Sequence, residues 1–363
     1  MAITEQAMLD ALKTVLDPNT GQDFVSSRAL RNLTISEADV AFDVELGYPC
    51  KSQIPDFRKA LVAAARTVAG VDNVSVNIRV KIIPHVVQRG VQLLPNVKNI
   101  VAVASGKGGV GKSTTAVNLA LALAAEGASV GVLDADIYGP SVPMMLGISG
   151  KPESSDGKTM DPMENHGLQV MSIGFLVAQD EAMIWRGPMA TQALEQLLRQ
   201  TNWRELDYLI VDMPPGTGDI QLTLSQRVPM TGAVIVTTPQ DIALLDARKG
   251  IKMFQKVGVP ILGIVENMAV HVCSQCGHVE HIFGADGGKT MAAEYEMDYL
   301  GALPLNMQIR LQADSGQPTV VADPDGEVAQ IYKHVAREVA VKIALKSKDF
   351  SSKFPTISVS KST

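Results

Sequence analysis

From residue 99 onward, short apolar segments alternate with longer segments whose apolar residues recur at helical spacing. Short apolar runs bounded by turn residues are typical of buried strands, and a period of 3.6 residues is typical of helices. The predicted strands of this region are residues 100–104, 129–133, 169–172, 208–211, 233–237, 261–266 and 299–302. This alternation predicts an α/β fold with a mostly parallel sheet, helices on both faces and right-handed crossovers.

Residues 1–88 have a different order of elements, which predicts a separate small α+β domain. Apolar residues at helical spacing begin near Met8 and stop at the turn-forming residues 17–21. The remaining predicted elements of this domain are strands at 30–35, 39–46 and 74–80 and a helix at 55–68.

Composition also predicts a linker between the two domains and a tail after the second one. We interpret residues 89–98 as a linker and 99–345 as the second domain, in which the polar residues 150–166 form a surface excursion. The Ser- and Lys-rich residues 346–363 are predicted to be a disordered tail.

Composition and charge argue against several classes of protein. The chain has 363 residues and a formal net charge of −6, and this mildly acidic balance argues against a nucleic-acid partner. Aromatic residues make up only 4% of the chain, as expected for buried parallel strands. No apolar run reaches the length of a membrane span, and the start of the chain lacks the basic residues of a signal peptide. Three cysteines do not make a disulfide framework. We therefore expect a cytoplasmic protein that binds neither nucleic acid nor membrane.

One glycine-rich segment between a predicted strand and a predicted helix satisfies the P-loop pattern G-x-x-x-x-G-K-[ST]. Its residues, all predicted to contact nucleotide, are Gly106, Lys107, Gly108, Gly109, Val110, Gly111, Lys112, Ser113 and Thr114. In such a loop, backbone N–H groups and a helix N-terminus face the phosphate oxygens. The pattern predicts that Lys112 contacts the β- and γ-phosphates of ATP and that the Ser113 hydroxyl binds Mg²⁺.

Acidic residues follow two of the predicted strands. Asp134 and Asp136 end one strand and Asp212 ends another. An apolar strand that places an aspartate beside a P-loop typically supports the Mg²⁺ shell, the role we predict for Asp212. Asp136 is predicted to orient the attacking water, and Gly216 to sense the γ-phosphate through its backbone N–H.

The extra lysine of the P-loop, Lys107, gives the segment a resemblance to the deviant-Walker-A ATPases, the class that contains MinD, ParA and the nitrogenase iron protein. The resemblance implies that Lys107 crosses the interface of a homodimer and contacts the phosphates held by the other subunit. Such a lysine would act as an arginine finger does, by placing positive charge on the transferred phosphoryl group.

A Cys-x-x-Cys pair, Cys273 and Cys276, follows the predicted strand 261–266. Two thiolates cannot complete a tetrahedral site, and an iron–sulfur cluster usually needs four ligands. A two-fold dimer would supply the missing two. Three alternatives remain open: a zinc site completed by His278 and His281, a thioredoxin-like redox pair, or two structural cysteines.

Several motifs together resemble the Mrp/ApbC family of iron–sulfur cluster carrier ATPases over about residues 97–345. They are Gly106 to Ser113, Asp134-Ala-Asp136-Ile-Tyr-Gly-Pro-Ser141, Trp185-Arg186-Gly187-Pro188, Asp212-Met-Pro-Pro-Gly-Thr-Gly-Asp219, Glu266-Asn267-Met268 and Cys273-x-x-Cys276 followed by His281-Ile-Phe-Gly284. The resemblance implies ATP hydrolysis, a [4Fe–4S] cluster shared by two subunits, transfer to apoproteins, and an adenine contact from Asn267.

The first domain resembles the small module of iron–sulfur assembly proteins that often precedes this ATPase. Asp17-Pro18 and Cys50 carry this resemblance. The sequence departs from the module at Tyr48-Pro49-Cys50-Lys51, where a Cys-Pro pair would be more usual, so we interpret Cys50 as a small packed hydrophobe.

The leading interpretation is therefore an ATP-dependent iron–sulfur cluster carrier that serves apo client proteins and interacts with a cluster scaffold. Two alternatives share its ATPase core. A positioning ATPase of the MinD/ParA kind would use the apolar stripe of residues 327–346 on a membrane. A zinc metallochaperone NTPase would carry zinc on the cysteine pair.

Overall fold

The computed structural model describes residues 3–85, 87, 91–177 and 187–350, the last four by backbone only. Its first domain consists of helix α1 (Glu5–Leu12), strands β1 (Leu30–Ser36) and β2 (Asp39–Leu46), helix α2 (Ile54–Ala65) and strand β3 (Asn73–Val80). The sheet order is β1-β2-β3, antiparallel between β1 and β2 and parallel between β2 and β3. The small α+β domain predicted from the sequence is confirmed.

Alternating residues of β2 explain the core of this domain. Val40, Phe42, Val44 and Leu46 are buried, because a strand presents every second side chain to the same face. Helix α2 covers that face with Phe57 and Leu61.

The second domain is built on a mixed, mostly parallel sheet. Its strands are β4 (Val97–Ala104), β5 (Val130–Asp134), β6 (Met163–Asn165), β7 (Leu168–Ser172), β8 (Leu206–Asp212), β9 (Gly232–Thr237), β10 (Ile261–Val272), β11 (Val279–Glu280) and β12 (Tyr299–Pro304). The order is β11-β10-β9-β4-β8-β5-β7-β6, and β12 pairs with β10. All seven predicted strands are present, which confirms the predicted α/β fold.

Helices cover both faces of this sheet. They are α3 (Lys112–Ala125), α4 (Val142–Met145), α5 (Gly187–Gln200), α6 (Asp219–Arg227), α7 (Asp241–Lys256), α8 (Gly287–Glu294), α9 (Met307–Asp314), α10 (Thr319–Ala322) and α11 (Glu327–Phe350). The central strands β5 and β9 are buried at every position, as expected for parallel strands with helices on both sides. In the described part of the chain, no helix is long and apolar enough to cross a membrane.

Three boundaries differ from the sequence prediction. Residues 163–165, within the predicted surface excursion, form the edge strand β6, which pairs antiparallel with β7. Strand β4 begins at Val97, inside the predicted linker. Helix α11 continues past Lys346 to Phe350, whereas 351–363 of the predicted tail lie outside the described residues.

The two domains meet at the C-terminal end of the P-loop helix α3. Its cap residue Glu126 is buried and accepts hydrogen bonds from the Ser52 backbone N–H (2.9 Å) and hydroxyl (2.7 Å) of the first domain. Arg337 of α11 donates to the same carboxylate at 2.6 Å. The Lys51 N–H donates to the Glu126 carbonyl at 3.0 Å. One buried carboxylate thus joins the first domain, the P-loop helix and the last helix.

We expect Glu126→Ala to destabilise the protein by about 3–5 kcal/mol, because it leaves the buried Arg337 guanidinium without its counter-ion. The free energy of unfolding in urea measures this effect. Glu164→Ala is the matched control, because the pair of Glu164 with Arg204 is more than half exposed on both side chains and such pairs contribute about 0–1 kcal/mol. Equal losses for the two variants would contradict the role of Glu126.

Candidate functional site

The P-loop folds as a tight turn between β4 and α3 because its glycines adopt conformations that other residues avoid. Gly109 and Gly111 have φ values of 82° and 81°, in the left-handed region. Gly106 lies against the backbone of α7, where a Cβ would collide with the carbonyl group of Asp246. The Ser105 hydroxyl donates to the Lys107 carbonyl at 2.8 Å, which fixes the start of the loop.

The loop and the strand ends around it line an open cavity of about 190 Å³. Its walls include P-loop residues together with Asp136, Ser141, Met145 and Pro215. Ser141 and Met145 border α4, and Pro215 follows β8, so residues from distant parts of the sequence share this cavity. Pro215 belongs to the motif that begins at Asp212, whereas no local pattern singled out Met145.

Lys112, the first residue of α3, lies among the predicted acidic residues. Its ammonium donates to Asp212 Oδ1 at 2.5 Å and lies 3.8 Å from Asp136 Oδ2. The Asp212 side chain is fully buried, and its Oδ2 has no hydrogen-bond partner within the described residues. A fully buried carboxylate costs several kcal/mol unless it is paired, so Lys112 is needed to balance Asp212.

Asp134 shapes the loop after β5 rather than facing the cavity. Its carboxylate accepts hydrogen bonds from the Ser172 hydroxyl (3.0 Å) and from the backbone N–H groups of Val142 (3.3 Å) and Asp136 (3.2 Å). Burial, and then the nearby Asp212 carboxylate, raise the pKa of Asp134 to about 7.

Asp136 lies closer to solvent, with 14% of its side chain exposed. Burial raises its pKa, and the Lys112 ammonium opposes that shift. The structure therefore brings together Lys112, Asp136 and Asp212 at the carboxyl edge of the sheet, as the sequence predicted.

Two other predicted residues make hydrogen bonds within the chain, and their contacts with nucleotide stay predictions. The Gly216 N–H, predicted to sense the γ-phosphate, donates to the Ser105 carbonyl at 3.0 Å. The Asn267 side-chain amide donates to the Val110 carbonyl in the P-loop at 2.9 Å. The contact of Asn267 with adenine stays a prediction. Of the predicted Trp-Arg-Gly-Pro motif, Trp185 and Arg186 lie outside the described residues.

Lys107 is exposed at the mouth of the cavity. Within the part of the chain that the structure describes, its ammonium makes no hydrogen bond or ion pair. An exposed lysine without such contacts can reach another molecule.

The cysteine pair lies in the turn of a hairpin formed by the outer end of β10 and by β11. The Cys273 N–H donates to the His278 carbonyl and the Gly277 N–H donates to the Cys273 carbonyl, both at 2.9 Å. Both thiols are free; Cys273 is half-buried and Cys276 is exposed. The turn therefore presents two sulfur atoms at the surface.

Backbone N–H groups of this turn favour the thiolate form of the first cysteine. Hydrogen bonds from Gln275 and Cys276 lower the pKa of Cys273. Across the described residues, no three His, Cys, Asp or Glu side chains come close enough to hold a metal ion. His281 instead lies with Nδ1 2.9 Å from the Ala269 carbonyl oxygen. A zinc site completed within one chain by His278 and His281 is not formed in this arrangement.

Cys50, in the first domain, is fully buried. Burial, and then the nearby Glu126 carboxylate, raise the pKa of its thiol to about 12. The thiol is therefore neutral and packed, which is the environment predicted for a small hydrophobe.

Two families match the chain. Residues 96–340 match the family described as NUBPL iron-transfer P-loop NTPase. Residues 5–78 match the family described as iron–sulfur cluster assembly protein.

Individual proteins give the same result. An "iron-sulfur cluster carrier protein" from Pseudomonas fragi is 59% identical over 278 residues, which cover 76% of this chain and 97% of the relative. A protein of the same name from Synechocystis is 44% identical over 348 residues, covering 94% of this chain and 99% of the relative.

Among solved structures, a nucleotide-binding protein from Archaeoglobus fulgidus in complex with ADP is 36% identical, with a TM-score of 0.56. The match covers 64% of this chain and 90% of that chain. Together with the P-loop geometry, these matches show that the chain belongs to the NUBPL iron-transfer P-loop NTPase family.

Proposed function

We propose that this protein is an ATP-hydrolysing carrier that binds a [4Fe–4S] cluster between two copies of the chain and transfers it to apoproteins. The observation that carries the proposal is the exposed turn with two sulfur ligands, on a strand that also borders a P-loop. The names of the relatives support iron–sulfur clusters as the cargo.

The nucleotide site fits ATP and Mg²⁺. Gly109 and Gly111 give the P-loop its phosphate-binding turn, and Lys112 lies at the N-terminus of α3. When ATP binds, Lys112 would contact the β- and γ-phosphates, while Ser113 would hold Mg²⁺. Asp212 Oδ2, which has no hydrogen-bond partner among the described residues, is suited to the water shell of the ion, whose charge would stabilise the transferred phosphoryl group.

Hydrolysis requires groups that orient water and neutralise charge. Asp136 is partly exposed at the cavity, where it can orient the attacking water. Lys107 is exposed and would supply positive charge to the γ-phosphate of the partner subunit. The catalytic residues of the proposal are thus Lys107, Lys112 and Asp136.

The cysteine turn fits half of a cluster site. Soft thiolate ligands select iron–sulfur clusters, which take four of them. Cys273 and Cys276 supply two, so a symmetric pair of chains supplies the full set. A second copy of the chain would therefore provide both the bound nucleotide that Lys107 contacts and the two sulfur ligands that complete the cluster site.

The rest of the proposal concerns partners and location. Apo iron–sulfur proteins would receive the cluster, and a cluster scaffold would supply it. The protein would be cytoplasmic, and its mildly acidic composition argues against a nucleic-acid partner.

The alternative of a membrane-positioning ATPase lacks its required surface. It depends on the apolar stripe of the last helix, yet Val335, Val339 and Ile343 are at most 1% exposed in the structure. A helix face packed in the core cannot lie on a membrane at the same time.

We expect Lys107→Ala to reduce ATP hydrolysis about 10³-fold or more, the range found for arginine fingers. Its melting temperature should stay unchanged, because Lys107 is exposed. Phosphate release and thermal unfolding measure the two effects.

Mixing subunits tests whether Lys107 acts across the dimer. Ser113→Ala removes the predicted Mg²⁺ ligand of its own P-loop, leaves the Lys112–Asp212 pair intact and still offers Lys107 to its partner. Mixed with Lys107→Ala, it should therefore restore part of the hydrolysis that neither variant shows alone. If the mixture stays as inactive as the separate variants, Lys107 does not act in the other subunit.

We expect Cys276→Ala to lose nearly all cluster after anaerobic reconstitution. Losing even an outer partner of a metal ligand weakens affinity about 10–100-fold, and losing a ligand costs more. Iron, acid-labile sulfide and visible absorbance report the cluster content.

Cys50→Ala is the matched control, because Cys50 is buried in the other domain and should not contribute to the cluster. It should keep the cluster content of the wild type. Equal cluster content in Cys276→Ala and the wild type would refute the assignment of the turn, and one zinc per chain without sulfide would favour the metallochaperone alternative.

A further inference from the structure

Strand β10 extends from the core of the sheet to the cysteine turn. Its first part, up to Glu266, pairs with β9 on one side and with β12 on the other. Its outer end pairs with β11 at the hairpin. Cys273 lies six positions after Asn267, so the P-loop contact and the first thiol are at most about 20 Å apart along the strand.

Asn267 fastens this strand to the P-loop at a position with no spare room. Its side-chain amide donates to the Val110 carbonyl at 2.9 Å, and the residue is only 8% exposed. On the neighbouring Gly111, a Cβ would collide with the same amide nitrogen. A rotation of the Val110–Gly111 peptide would therefore displace the Asn267 side chain or break its hydrogen bond.

The strand is irregular immediately after this contact. Met268 has a φ of 57°, and the pairing with β12 advances from Glu266 opposite Ala302 to Val270 opposite Pro304. Extra residues on β10 thus form a bulge, a feature that bends a strand and re-aims the residues beyond it.

The residue before the bulge is fixed in place. Glu266 is buried, and its carboxylate accepts hydrogen bonds from the Gly288 N–H (2.8 Å) and the Tyr299 hydroxyl (2.9 Å). The hydrogen bonds of Glu266 therefore oppose movement of the strand before Asn267. The bulge allows movement of the residues after Asn267, towards the cysteines.

We propose that Asn267 is a positioning residue that couples occupancy of the P-loop to the geometry of the cysteine turn. This inference rests on the proposed carrier function and supplies the link between its two sites. Phosphate oxygens that bind the loop N–H groups fix the orientation of the Val110 peptide. The Asn267 amide follows that carbonyl, and the bulge passes the change to Cys273 and Cys276.

Coupling between two binding sites is reciprocal, so it can be measured from the nucleotide side. The dissociation constant of a non-hydrolysable ATP analogue is measured anaerobically for cluster-loaded and cluster-free protein. In the wild type the two constants should differ about 5-fold or more, the lower end of common coupling energies. In Asn267→Ala their ratio should fall to about one, while cluster content stays that of the wild type.

Three comparisons separate this role from others. The inosine analogue and inorganic triphosphate should show the same loss of coupling, because the contact involves the P-loop and not the base. Asn267→Asp keeps the shape of the side chain but lacks the amide donor, so it should also lose the coupling. It replaces Asn267→Ala in the test if the alanine variant folds poorly. Asn306→Ala, in the segment beside the hairpin but without a P-loop contact, should keep the coupling of the wild type.

The outcomes are distinct. Coupling that persists in both Asn267 variants, or that is lost only for the adenine analogue, overturns the inference. A wild type that holds a cluster but shows equal constants also overturns it. A wild type that holds no cluster refutes the carrier function instead.

Discussion

The charge balance between Lys112 and Asp212 is the constraint on which the site depends. Asp212 is fully buried at the end of β8 and Lys112 is its nearest cation, at 2.5 Å. This pairing requires that the P-loop bring the first residue of α3 to the carboxyl edge of the sheet, which in turn requires the left-handed glycines before it. In the proposed nucleotide complex the phosphates would become the partner of Lys112 and Mg²⁺ would balance the charge of Asp212, so the buried carboxylate would not be left without a counter-charge.

Around this centre, single side chains connect distant elements. Glu126 ends the P-loop helix and holds both Ser52 of the first domain and Arg337 of the last helix. Asn267 holds the other end of the same segment, at the P-loop carbonyl of Val110. The P-loop and its helix are thus in contact with the first domain at one end and with the cysteine strand at the other, which makes them the common element of the molecule.

Local sequence patterns were sufficient to predict the main strands and several residues of the nucleotide site. Apolar runs located the seven main strands, and the spacing of glycines, lysines and aspartates located Lys112, Asp136 and Asp212. The two- and three-residue strands β11 and β6 were missed because such short segments carry no alternation. Strand β10 was predicted to end at Glu266, because the sequence does not show that this polar residue is buried by Gly288 and Tyr299. The contact of Asn267 with Val110 spans 157 positions, beyond the reach of local pattern.

In the proposed carrier, one chain holds half of a cluster site and two chains complete it. Native mass spectrometry of anaerobically reconstituted protein tests this most directly, because it reads chain number and cluster mass in the same ion. We expect the cluster-bearing species to contain two chains and one [4Fe–4S] unit. A cluster or a zinc ion carried by a single chain, with no loaded dimer, would contradict it.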